Sequence, residues 1–114
     1  MLERLIKRFD MRIILKKFEG VNIALIQRGE NGDIDLLPTR YDLYPYDGGI
    51  SWGYKGSGVM NLAYAIAAQL CEGIPHLNVS LVAKALVENL LQILDEEKEH
   101  ILDKQVLAQH IGKS

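Results

Sequence analysis

Cysteine occurs once, at Cys71, in a chain of 114 residues. A single thiol excludes an intramolecular disulfide and leaves no cysteine partner for a structural zinc site. Cys71 falls on the apolar rhythm of an expected helix, so it reads as a buried structural thiol rather than a nucleophile. Long apolar runs are also missing. None reaches the roughly 18 residues that cross a bilayer, and "MLERLIKRFD" places charges where a signal peptide needs an uninterrupted apolar core. No membrane partner is expected, and the expected location is the cytoplasm. Neither sign of charge dominates: a formal net charge of −2 gives no whole-molecule attraction for nucleic acid, which is not an expected partner. Histidine is scarce and scattered. His76, His100 and His110 pair with no Cys or Asp at metal spacing, and "HILDKQVLAQH" is not H-E-x-x-H, so neither a metal nor another cofactor is expected. Ser57 has no identifiable base with which to build a triad. Asp42 and Asp47 sit in a turn-rich connector, where aspartate is common. With no catalytic constellation legible, binding is expected over catalysis.

What the chain does contain is an ordinary globular composition, 48% hydrophobic and 25% charged, at the size of one domain spanning residues 1–114. Its charge is uneven. Arg4, Lys7, Arg8, Arg12, Lys16 and Lys17 crowd the N-terminal stretch, while "ENGDID" and "LDEEKEH" are acidic, a pattern that solvated faces commonly produce. Leu2, Leu5, Ile6 and Phe9 stand at helical spacing and predict a short N-terminal helical extension within residues 1–10; Met11 is an alternative start. "RIILKKF" and "VNIALIQR" are β-branched runs separated by a turn at Gly20. "GENGD", with the hairpin dipeptide Asn31-Gly32, leads to a third strand in "IDLLP" that Pro38 stops. The connector "PTRYDLYPYDGGI" is rich in Tyr, Asp and Gly, and "ISW" reads as a further short strand.

Helical texture follows. In "GVMNLAYAIAAQL", Met60, Ala63, Tyr64, Ala67, Ala68 and Cys71 recur at three and four, and Leu62, Ile66 and Leu70 widen the stripe. That predicts a central, buried helix over about 58–72, stopped by Gly73 and Pro75. Asn78 caps a longer amphipathic helix over about 78–98, striped by Val79, Val82, Ala83, Leu86, Leu90, Ile93 and Leu94. Asp103 caps a short C-terminal helix. The expected fold is α+β: a small antiparallel β-meander packed on one face by the buried and the longer helix. One open sheet face in so short a chain predicts a homo-oligomer.

One stretch invites a functional reading. "WGYKGSGVMNLAYAIAAQL" sets Gly56-Ser57-Gly58 at the start of the most helical segment, where the first N–H groups lack intrahelical partners and the peptide dipoles leave partial positive charge. Glycine permits close approach, serine can cap or bind an oxygen, and Lys55 adds a cation. These are the parts of an anion site, although the stretch is neither a G-x-x-x-x-G-K-[ST] nor a G-x-G-x-x-G loop. Trp52 and Tyr54, as alternate residues, are expected to share a face and to offer either an aromatic wedge or a stacking wall. Arg40, Tyr41, Tyr44 and Tyr46 are expected on the opposite wall.

The stretch "ISWGYKGSGVMNLAYAIAAQL" resembles the signature of a family of small proteins of unknown function from bacteria, archaea and their viruses: an aromatic, then W-G-Y-x-G-S-G-P, then a Leu/Ala-rich helix. Trp52, Gly53, Tyr54, Gly56, Ser57, Gly58, Leu62 and Ala63 match; Val59 replaces the proline favoured at a first helical position, and Ile50 replaces the aromatic. The resemblance implies a short β region before the signature but no chemistry. Because such a family reaches into viruses, it implies a phage or prophage accessory protein with an anti-defence role as a setting. The leading expectation is a non-catalytic protein that holds or sequesters an anionic, nucleotide-like molecule. Its proposed contacts are Trp52, Tyr54, Lys55, Gly56, Ser57, Gly58, Arg40 and Tyr44. The alternatives are an inhibitor that blocks a host protein complex by surface contact, and a small nucleotide hydrolase.

Overall fold

The run MRIILKKF forms strand β1 (Met11–Phe18) and VNIALIQR forms β2 (Val21–Arg28), paired antiparallel from Met11 opposite Arg28 to Phe18 opposite Val21. Between them Glu19 and Gly20 take φ of +50° and +82°, the two left-handed residues of a tight hairpin turn. The structure is a computed structural model and describes residues 10–29, 31–72, 74 and 76–111. The expected N-terminal helix, and the Gly73 and Pro75 expected to stop the buried helix, lie outside the described residues. Strand β3 (Ile34–Leu36) pairs with β2 before Pro38, as the meander requires.

Helix α1 (Ser57–Cys71) is buried over most of its girth. Its alanines at 63, 65, 67 and 68 are buried, and residues that small allow neighbouring elements to come close. Helix α2 (Val79–Asn89) begins where Asn78 Oδ1 accepts from the Leu81 amide at 3.1 Å. Helix α3 (Lys104–Ile111) begins where Asp103 Oδ1 accepts from Val106 at 3.0 Å. Met11, Ile13, Leu15, Ala24 and Ile26 point to one face of the sheet and share a single core with Leu62, Ile66 and Leu70 of α1, Leu86 of α2 and Leu107 of α3. Each such aliphatic side chain contributes about 1.5–3 kcal/mol on burial. The fold is α+β. No described helix is long and apolar enough to cross a membrane.

Two expectations are corrected. The helix predicted over 78–98 ends at Asn89, and after a 3₁₀ turn at Leu91–Ile93 the chain enters strand β4 (His100–Leu102), which pairs antiparallel with β1. Tertiary hydrogen bonds compete with the helix here. The Leu91 carbonyl accepts from Gly53 N at 2.8 Å, and the Lys98 carbonyl accepts from the Trp52 indole at 3.0 Å. Asp95 turns the acidic segment by accepting from the amides of Glu97 and Lys98. The sheet order is therefore β3-β2-β1-β4. "ISW" is not a strand: Ser51 N donates to the Gly58 carbonyl at 3.1 Å and so ties this segment to the first turn of α1.

The second face of the sheet carries Arg12, Ile14, Lys16 and Phe18 of β1, alternating with the core set. In register across it run Leu36, Leu25, Ile14 and Ile101, one from each strand. On this face Ile14 is buried, whereas Phe18, Val21, Ile34, Leu36 and Ile101 are exposed.

Candidate anion site at the head of the buried helix

Gly56 is the N-cap of α1, extended at φ −175° and ψ −178°, and no side chain caps the helix. Its carbonyl accepts from Met60 N at 3.0 Å to close the first turn. No described residue accepts from the amides of Ser57, Gly58 or Val59, and no acidic side chain lies in that turn. Ser57 and Lys55 are exposed, so the positive end of the helix opens toward solvent at Ser57.

The flanking glycines have local packing reasons. A Cβ on Gly58 would fall 2.8 Å from Ser51 Oγ, and one on Gly56 would fall 2.7 Å from a ring carbon of Tyr54. Gly58 and Val59 are buried, which leaves the Ser57 amide as the donor on an exposed residue. Tyr54 leans over Gly56 while remaining 44% exposed.

Gly53 breaks the alternation expected between its neighbours. Its φ is +92°, and a Cβ there would lie 2.7 Å from the Cα and N of Glu96. Trp52 and Tyr54 therefore do not share a face. Trp52 is 1% exposed, donates to Lys98 O, meets the His100 ring edge-on at 6.3 Å and has Lys17 Nζ 5.2 Å from its ring centroid. It is a wedge between connector and sheet, with no face free for a ligand to stack on.

The wall expected opposite is not assembled at the helix head. Arg40 makes a two-pronged salt bridge to Asp42, at 2.9 and 2.8 Å. That hydrogen bonding raises the Arg40 guanidinium above its ordinary value, with a smaller contribution from Glu72, and it holds the Asp42 carboxyl below the usual carboxylate range. Nε and one terminal nitrogen of Arg40 are thus taken up by Asp42. Tyr44 stacks on Tyr64 at 5.3 Å and 11°, and the Tyr64 hydroxyl is 2.6 Å from Ser80 Oγ. Tyr64 lies two turns along the helix from Ser57, about 10 Å at 1.5 Å per residue. Tyr44 thus covers the ring of Tyr64, whose hydroxyl ties α1 to α2.

Sequence reasoning missed Asn61 and Ser51. Asn61 is 2% exposed; its Nδ2 donates to Gly49 O at 2.8 Å, and its Oδ1 has no hydrogen-bond partner. It stands one turn after Ser57, and helical side chains lean toward the N-terminus. The available signal was a lone polar residue inside an apolar helix stripe. The residues gathered at the head of α1 are Ser51, Tyr54, Lys55, Gly56, Ser57, Gly58 and Asn61.

The chain matches no protein-family model, no curated protein and no solved structure. Function is therefore argued from the site itself.

Proposed function

We propose that the protein is a non-catalytic binding protein that holds the phosphate of a small, nucleotide-like molecule at the head of α1. One observation carries the reading: the helix begins without a side-chain cap, and its first amides donate to no described residue. At an exposed helix head such amides stay free for a solvent molecule or for an oxyanion. Lys55 adds a cation on the solvent side, and the exposed part of the Tyr54 ring offers a surface for a planar group. The site is smaller than the sequence suggested, because Trp52, Arg40 and Tyr44 are occupied elsewhere. It is built on one corner rather than between two walls.

The test is thermal unfolding at constant ionic strength with inorganic phosphate, linear nucleotides and cyclic nucleotides. A ligand at a hundred times its Kd stabilises the folded state by about 2.7 kcal/mol. The expected result is a concentration-dependent rise in melting temperature that Ser57→Asp abolishes. Ser57 is a better probe than Gly58, because Gly58 is buried against Ser51 and a large side chain there would disturb the fold.

A further inference from the structure

We infer that Asn31 is a site of covalent modification: its side-chain amide closes onto the backbone nitrogen of Gly32 and is lost as ammonia, and the isoaspartate that forms loosens strand β3. Asn31-Gly32 is the one Asn-Gly pair in the chain; the asparagines at 22, 61, 78 and 89 precede isoleucine, leucine, valine and leucine. Glycine matters in second place because its nitrogen is the nucleophile and it carries no side chain to obstruct the approach.

The structure separates Asn31 from the other four in a second way. Asn22 Oδ1 accepts from Lys17 Nζ at 2.8 Å, and Asn61 Nδ2 donates to the Gly49 carbonyl at 2.8 Å. Asn78 Oδ1 accepts from the Leu81 amide at 3.1 Å, and Asn89 Nδ2 donates to the His110 carbonyl at 3.4 Å. Each of those side chains is held away from ring closure. Asn31 lies exposed in the turn between β2 and β3; its side chain bonds to no described residue, and no described residue accepts from the Gly32 amide. The turn cannot escape by changing its glycine, because a Cβ on Gly32 would collide with the Arg28 carbonyl oxygen.

The chemistry needs only water. Once the Gly32 nitrogen has given its proton to solvent, it attacks the side-chain carbonyl carbon of Asn31. The new C–N bond closes a succinimide, and the side-chain nitrogen takes up a proton and leaves as ammonia. Water then opens the ring. Opening at the former side-chain carbonyl gives aspartate, whereas opening at the original main-chain carbonyl gives isoaspartate. Isoaspartate routes the main chain through the side-chain methylene and so lengthens it between residues 31 and 32. Gly32 is where that insertion is felt. Its carbonyl accepts from Gln27 Nε2 at 2.8 Å, and Gln27 Oε1 accepts from Arg12 Nε at 2.8 Å. Displacing Gly32 leaves the buried Gln27 amide without its acceptor. Strand β3 begins at Ile34 and pairs with β2 only at Leu25, Ile26 and Gln27, so it has little else to hold it.

The experiment holds the full, folded chain in mildly alkaline buffer at physiological temperature and samples it over days. Cleavage after Arg28 and Arg40 isolates residues 29–40, in which Asn31 is the one side-chain amide. The expected result is a growing fraction of this peptide heavier by about 1 Da, labelled by an isoaspartyl methyltransferase, while peptides carrying the other four asparagines keep their mass. Asn31→Gln should remove the shift and leave the far-UV spectrum unchanged, since the side chain is exposed. Amide exchange at Ile34–Leu36 should be faster in the isoaspartyl fraction than in fresh protein, with β1 unchanged. Residues 29–40 that keep their mass in the folded chain overturn the inference; a gain seen only in urea would assign the protection to the fold. Equal deamidation at the other asparagines overturns the structural argument, and unchanged exchange in β3 of the modified chain overturns the loosening.

Discussion

Ser57→Asp separates a bare helix head from an occupied one, because it moves stability and ligand response in opposite directions. Ser57 is the first residue of α1, exposed, with no acidic neighbour in its turn and no side-chain cap beside it. A carboxylate placed there meets roughly half a positive charge from the helix dipole and is worth about 0.3–1 kcal/mol. Unfolding entropy near 2.1 cal/mol/K per residue gives about 0.24 kcal/mol/K for this chain, so the melting temperature should rise by about 1–4 °C. The introduced carboxyl has its pKa depressed by the dipole in the folded state. Its stabilisation is therefore full above the unfolded value near 4 and is lost as pH falls through the folded value. In the same variant the fixed charge competes with an incoming anion, so the phosphate-dependent rise seen in the wild type should vanish. The assay is differential scanning calorimetry with and without phosphate, at matched ionic strength and at two pH values. A melting temperature lowered by the substitution would mean that the amides are not free. A phosphate response that survives it would mean that the ligand binds elsewhere. Either result refutes the reasoning.

Gly53→Ala should cost at least about 2 kcal/mol in urea unfolding, because left-handed backbone disfavours a side chain and the Glu96 main chain occupies the place of the Cβ. Trp52→Phe removes the donor to Lys98 O and should cost about 1–3 kcal/mol, with faster amide exchange in β4 than in β2. Asp42→Asn should leave the melting temperature nearly unchanged at neutral pH, because both members of the ion pair it breaks are exposed; in the parent chain the pairing persists until pH falls through the lowered value of the Asp42 carboxyl.

Local signals carried most of the architecture. The β1–β2 hairpin, β3, the buried girth of α1 and the caps at Asn78 and Asp103 all follow from periodicity and short-range hydrogen bonding. Strand β4 does not, because its pairing partner in β1 is far away in sequence and its lead-in, "LDEEKEH", has the composition of a solvated helix end. Two carbonyls captured by Trp52 and Gly53 decide that segment, and nothing in its own residues encodes them. The candidate site was legible as a helix head and misread in its surroundings. Alternation was assumed for Trp52 and Tyr54, but the positive φ of Gly53 cancels it. Arg40 and Tyr44 were placed by proximity in sequence, whereas Arg40 pairs with Asp42 and Tyr44 stacks on Tyr64, two turns down α1. Asn61 went unremarked because one polar residue hardly alters an apolar stripe.

The late position of β4 also has a consequence for synthesis. The central strand β1 leaves the ribosome early and finds its hairpin partner at once, yet its other edge is completed only by residues 100–102. Until those residues emerge the nascent sheet has an open backbone edge that can template strand pairing between chains. Strand β4 does more than lead into α3: it seals the seam that β1 leaves open.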